Sequence, residues 1–157
     1  MTKQAADDDQ ALSLKLLVVL SKTYKSLMDK AAKDIKNYEL TPSEFGILEV
    51  LSTKGKIPIQ QIGEKILITS GTMTYNLDKL EKKGLVERIP CLEDRRVVYA
   101  DLTVAGKEMM DRIFPQHAES IQQIMNGLSP AQKQETIVLL KLLGKGVHEY
   151  DNNIQDH

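Results

Sequence analysis

Apolar side chains at Leu17, Leu20, Tyr24, Leu27, Met28, Ala31 and Ile35 recur at steps of three and four, which places them along one face of a helix. A first helix is expected over about residues 11–37, after a polar arm of residues 1–10 in which Asp7, Asp8 and Asp9 are adjacent. Thr41-Pro42-Ser43-Glu44 then gives a helix start: a capping hydroxyl, proline at the first helical position and a glutamate placed to complete a capping box. The second helix carries Phe45, Leu48 and Leu51 inward. Gly55 and Pro58 break it, and Ile59, Ile62 and Ile66 mark a short third helix. Beyond Ile68, TSGTMTYNLDKLEKKG reads as a fourth, opened by Thr69 or Ser70 and closed by Gly84.

The period then changes. LVERIP and RRVVYADL are short and rich in branched residues, and Cys91-Leu92-Glu93-Asp94 between them suits the polar tip of a hairpin. Thr103 can cap a long helix through Met109 and Ile113, which Pro115 is expected to kink or interrupt before Ile121 and Ile124. Ser129-Pro130-Ala131-Gln132 starts a last helix. Its stripe of Ile137, Leu140, Leu143 and Val147, flanked by Val138, Leu139 and Leu142, is more apolar surface than one contact needs.

Three short helices followed by a hairpin predict a mainly α fold with a small β-hairpin wing, a winged helix-turn-helix over residues 41–103. Residues 11–37 and 104–148 are left as flanking helices. In the fourth helix Met73, Leu77 and Leu80 form a stripe that would seat it on its neighbours. The opposite side would show Ser70, Thr72, Thr74, Tyr75, Asn76 and Lys79, hydroxyl and amide groups that can reach base edges in a major groove, with lysine for phosphate. In the wing, Arg95 and Arg96 would meet the adjacent minor groove, and Asp94 could hold one guanidinium by a charge-assisted bond.

Composition limits the alternatives. At 157 residues, 41% hydrophobic and 27% charged, the chain fits one domain with an extension and can bury a core. It lacks an apolar run long enough for a membrane span, and MTKQAADDDQ lacks a signal-peptide layout, so a cytoplasmic protein is expected. Cys91 is the only cysteine, which excludes an intrachain disulfide and a cysteine-rich zinc site. His117, His148 and His157 have no metal-ligand spacing, and no metal or cofactor is expected. The net charge of −1 gives DNA binding no support by itself. Within the motif, Lys65, Lys79, Lys82, Lys83, Arg88, Arg95 and Arg96 are matched in number by Glu64, Asp78, Glu81, Glu87, Glu93, Asp94 and Asp101, so only the arrangement of charge can favour it.

The helix pair, LDKLEKKGLVER, EDRR and ADLTVAG together resemble the MarR family of winged-helix regulators, whose D-x-R wing and leucine-threonine-x-x-glycine fall here on Asp94, Arg96, Leu102, Thr103 and Gly106. The resemblance covers nearly the whole chain. It implies an obligate homodimer knitted by its first and last helices, each subunit reading half of a near-palindromic operator. It further implies a repressor, released by a small aromatic, phenolic or quinone-like inducer. One departure is Tyr75, where many members carry arginine; a phenol ring can rest on sugar or a thymine methyl but cannot grip guanine as arginine does.

Blander readings compete at single residues. Cys91 invites a redox switch, against which stands a passive thiol with only Arg88 and Arg95 as basic neighbours in sequence. His117 reads as a structural or solvated residue, or as a polar group near the family's ligand cleft; Met109, Met110 and Met125 read as core filler. For the whole chain, a phosphate loop, HExxH and G-x-S-x-G are all missing, which speaks against an enzyme. A winged-helix adaptor that binds protein instead of DNA is the remaining alternative.

Overall fold

The computed structural model describes the backbone of residues 3–66 and 70–155 and the side chains of residues 5–66 and 71–150. Among the described residues six helices and three strands follow in order: α1 (Lys3–Lys36), α2 (Pro42–Lys54), β1 (Ile57–Pro58), α3 (Ile59–Ile66), α4 (Ser70–Lys82), β2 (Val86–Pro90), β3 (Val98–Leu102), α5 (Val104–Ile124) and α6 (Pro130–Gln155). The chain forms two compact units, residues 1–121 and 122–157.

In the first unit α2 starts as its sequence dictates. Thr41 Oγ1 accepts from the Glu44 backbone N–H and the Glu44 carboxylate accepts from the Thr41 N–H, closing the capping box over Pro42. Glu44 is nevertheless almost fully buried, and its charge is answered by the Lys83 ammonium at 3.1 Å, which also donates to the Glu39 carbonyl at 3.0 Å. This strap ties the end of α4 to the start of α2.

The α4 terminus is equally well defined. Gly84 adopts φ +71°, its N–H donates to the Glu81 carbonyl, and Leu85 N–H reaches back to Leu80. That pair of bonds is a Schellman closure, accompanied by burial of both Leu80 and Leu85. The hairpin that follows pairs Val86 with Leu102, Arg88 with Ala100 and Pro90 with Val98, while β1 adds Ile57 opposite Ala100, giving a sheet of order β1-β3-β2. β1 was not expected; as an edge strand of two residues ending in proline it leaves no periodic signal.

The core gathers Ile47, Leu48 and Leu51 of α2, Ile62 of α3, Met73, Leu77 and Leu80 of α4, Val86, Ala100 and Leu102 of the sheet, and Met110 and Ile113 of α5. At roughly 1.5–3 kcal/mol for each large side chain buried, this cluster is what seats α4 on the body. Met110 lies within it and Met109 packs against it, whereas Met125 is about a third exposed and outside this core.

Leu102-Thr103-x-x-Gly106 locks the sheet to α5. Leu102 is buried, Thr103 Oγ1 donates to the Gly84 carbonyl at 2.6 Å, and the same oxygen accepts from the Gly106 N–H, capping the helix. A Cβ at Gly106 would overlap the Leu85 carbonyl oxygen, a backbone atom that cannot step aside. Gly106→Ala is therefore expected to cost about 2–3 kcal/mol, seen as a melting temperature roughly 5–10 °C lower.

Two expectations are corrected. α1 begins at Lys3, so residues 3–10, with Asp7, Asp8 and Asp9, are helical instead of a loose arm. α5 is not interrupted at Pro115, which lies within the helix. The proposed cap Thr69 and Ile68 lie outside the described residues.

Along the apolar stripe of α1, Leu17, Tyr24 and Met28 are exposed, Leu20, Leu27 and Ala31 are half-buried and Ile35 is buried, while Leu12, Leu14, Leu16, Val18 and Val19 are exposed around them. In the second unit, α6 starts with the Ser129–Gln132 capping box and leaves Ile137, Leu140, Leu143 and Val147 exposed. Among the described residues no helix is long and apolar enough to cross a membrane.

Candidate nucleic-acid interface

With Met73, Leu77 and Leu80 turned into the core, the helical period divides the outer surface of α4 into two strips. One carries Thr72, Tyr75 and Lys79. The Tyr75 ring is exposed, and the Lys79 ammonium stands 4.5 Å from its centroid, so the pair presents a flat apolar surface edged by a cation. The other strip carries Thr74, Asp78 and Glu81 at steps of four and three, facing β2.

Arg88 of β2 spans that second strip. Its guanidinium pairs with Asp78 and, at 3.1 Å, with Glu81, and it donates to the Thr74 carbonyl at 3.4 Å; its backbone N–H donates to Glu81 Oε1 at 3.2 Å. One guanidinium thus engages two of the acidic groups counted against the motif's lysines and arginines, and is itself no longer free to meet DNA.

Asn76 does not belong to the outer face. It is buried, and its amide Nδ2 donates to the Thr72 carbonyl one turn back at 2.8 Å. Its place, three residues after Met73 and four before Leu80, borders the core stripe, a signal present in the sequence but outweighed by the residue's polarity. Ser70 opens α4, but its side chain is outside the described residues.

At the wing tip Cys91 N–H donates to the Val97 carbonyl and Val97 N–H to the Asp94 carbonyl, closing the loop between the strands. Asp94 accepts from the Arg96 backbone at 3.0 Å and takes its guanidinium in a two-point grip, Nε and Nη2 each at 3.1 Å. Those bonds hold the Asp94 carboxyl below its usual pKa. The Arg96 side chain is still 90% exposed, so the grip orients the cation without removing it from solvent. Arg95 is exposed beside it. Cys91 is half-buried, and Arg88, one of its two basic neighbours in sequence, is engaged by Asp78 and Glu81, which favours a passive thiol.

A surface hollow of about 470 Å³ opens beside the end of α4, where Lys36, Lys79, Lys82 and Lys83 converge around Glu39 and Glu44. No group of acidic, histidine and cysteine side chains suited to a metal ion occurs among the described residues.

Away from α4, His117 of α5 bonds Asp34 of α1 at 2.7 Å and packs its ring on Phe45 of α2, centroids 4.5 Å apart. Both partners are largely buried, and the Tyr38 hydroxyl also donates to Asp34. Burial would raise the Asp34 pKa, but bonds from Ser120 and His117, the charge of His117 and the Tyr38 hydroxyl outweigh it and hold it below 3.8. A carboxylate depressed on folding contributes stability that is complete above its unfolded value and is lost as pH falls through the folded one. Denaturant titrations of Asp34→Asn should accordingly lose part of the wild type's decline below about pH 4.

Comparison with known proteins agrees with this fold. Residues 40–98 match the model of the MarR family. The HTH-type transcriptional regulator MhqR of Bacillus subtilis is 42% identical over 140 residues, covering 89% of this chain and 97% of that protein. Among solved structures, the MarR family regulator Sco3205 of Streptomyces coelicolor, in complex with DNA, superposes with a TM-score of 0.79 at 22% identity over 87% of this chain and 88% of its own. BpsR of Bordetella bronchiseptica, whose DNA binding is regulated by 6-hydroxynicotinic acid, gives 0.74 at 24% identity over 83% and 98%.

Proposed function

The chain belongs to the MarR family of DNA-binding transcriptional regulators, which are not enzymes, and from this premise we propose that it is a cytoplasmic homodimeric repressor released from a near-palindromic operator by a small aromatic ligand. The observation that carries the DNA reading is the pairing of an outward strip on α4 with a wing tip whose Arg96 is oriented by Asp94 yet exposed. On this reading Thr72, Tyr75 and Lys79 meet the major groove, with Ser70 and Thr74 beside them, and Arg95 and Arg96 reach the neighbouring minor groove. Residues 41–103 then read DNA, and residues 11–37 and 104–148 form the dimer.

Support for the dimer comes from the apolar faces of α1 and α6, which are exposed in the single chain. Covered by a second copy, they would bury above roughly 2,000 Å² in total, as obligate dimers do.

Support for an aromatic phenolic or quinone-like inducer is chemical. The largely buried Asp34–His117 pair, with Phe45 and Tyr38, offers ring and hydrogen-bonding partners where α1, α2 and α5 meet. BpsR answers to a hydroxylated aromatic acid. A ligand releases DNA only by preferring the form that fits the operator poorly, by about 1.4 kcal/mol for each tenfold loss of affinity. Fluorescence anisotropy on labelled operator with a panel of phenols, quinones and aromatic acids tests this. At least one class should weaken binding tenfold or more; a panel that never weakens it removes the induction step and leaves the DNA reading standing.

A further inference from the structure

We propose that Arg88 is the positioning residue that sets α4 relative to the wing and so determines how sharply the protein discriminates DNA sequence. This rests on the reading of α4 and the wing as the DNA-contacting surfaces.

The two surfaces are built on different elements. The wing tip is carried by β2 and β3, held by five register pairs, while α4 is seated on the body by Met73, Leu77 and Leu80. Apolar burial is strong but non-directional, so it sets which face of α4 meets the core while defining the helix's fine rotation less sharply. Directional bonds sharpen it, and Arg88 supplies them: guanidinium bonds to Thr74, Asp78 and Glu81 on successive turns, and a backbone bond to Glu81. Because Arg88 is itself paired with Ala100 in the sheet, any roll of α4 must break bonds to the wing's own strand.

Magnitudes separate this role from simple stabilisation. Asp78 is half exposed and Glu81 and Arg88 about a third, and ion pairs of that exposure contribute little to folding. Contacts to base edges, by comparison, tolerate only a fraction of an ångström and some tens of degrees of misplacement. Lysine in place of Arg88 keeps the charge between the two carboxylates but has no planar fork to reach three turns at once.

The test compares Arg88→Lys, the double variant Asp78→Asn/Glu81→Gln, Thr72→Ala and Arg96→Ala, measuring affinity for upstream operator and scrambled DNA across a salt series, with thermal melts by circular dichroism. Arg88→Lys should lower the operator-to-scrambled ratio about tenfold while its scrambled affinity and salt slope stay at wild type and its melt shifts by no more than about 3 °C. The double variant should lose the same ratio although it removes two negative charges; tighter binding to all DNA with the ratio kept would make Arg88 a charge neutraliser only and overturn the proposal. A melt lowered by more than about 10 °C would make Arg88 a folding residue and overturn it too. If Arg88→Lys discriminates normally while Thr72→Ala and Arg96→Ala weaken operator binding, the proposal fails and the DNA reading stands. If all four variants behave as wild type, the DNA reading fails and the proposal with it.

Discussion

Leu140→Glu with Leu143→Glu is expected to convert the protein to a monomer and to lower operator affinity roughly a hundredfold or more. Both leucines are substantially exposed in the single chain, so carboxylates there meet solvent and cost the isolated fold little. In a dimer that covers them the same substitutions appear twice, and an unpaired charge in an apolar interface costs several kcal/mol. Separate subunits would then meet the half-sites one at a time, without the linked second engagement that gives a dimer its affinity. Light scattering and gel shifts on the same samples check both parts. A compact monomer of about 17.6 kDa for the unmodified protein at micromolar concentration would remove the premise.

The second large effect lies on the DNA surfaces and separates holding from reading. Arg96→Ala should weaken binding to all sequences and make the plot of log affinity against log salt shallower by about 0.9 for each phosphate no longer neutralised. Thr72→Ala or Tyr75→Ala should instead relax discrimination at individual positions, by about 1–3 kcal/mol for each base no longer read, with little change in slope. Tyr75→Ala carries one addition: it also frees the Lys79 ammonium from the ring it borders, so a small change in slope is expected there and not for Thr72. Each loss counts once per half-site.

Much of this arrangement is legible in the chain because local chemistry and burial agree. Thr41 with Glu44, Ser129 with Gln132, Thr103 and Gly84 each predict a helix end, and each end is found with its expected bonds. The Met73, Leu77 and Leu80 stripe is buried as its spacing requires, and Asp94 grips Arg96 two residues away. What was not legible depends on register between distant segments. The Arg88 brace needs β2 laid beside α4, the Lys83–Glu44 strap joins residues far apart in sequence, and the Asp34–His117 bond spans most of the first unit. Asn76 misled because polarity suggests exposure, while a buried amide is tolerated wherever a backbone carbonyl such as that of Thr72 accepts its proton. The near-neutral net charge is uninformative for a related reason: a total does not show that Asp78 and Glu81 are turned to Arg88 while the Arg96 guanidinium, though gripped by Asp94, stays at the surface.

Footprinting of the unmodified protein on the DNA upstream of its own gene, at physiological salt and with excess scrambled competitor, tests sequence-specific DNA reading most directly. Protection of a near-palindromic segment whose two halves are spaced by about one helical turn or a multiple of it is the expected result, at an affinity at least about a thousandfold above that for scrambled DNA. Binding that is equally weak on both DNAs and vanishes with modest added salt would contradict it, and the winged motif would then serve a protein partner.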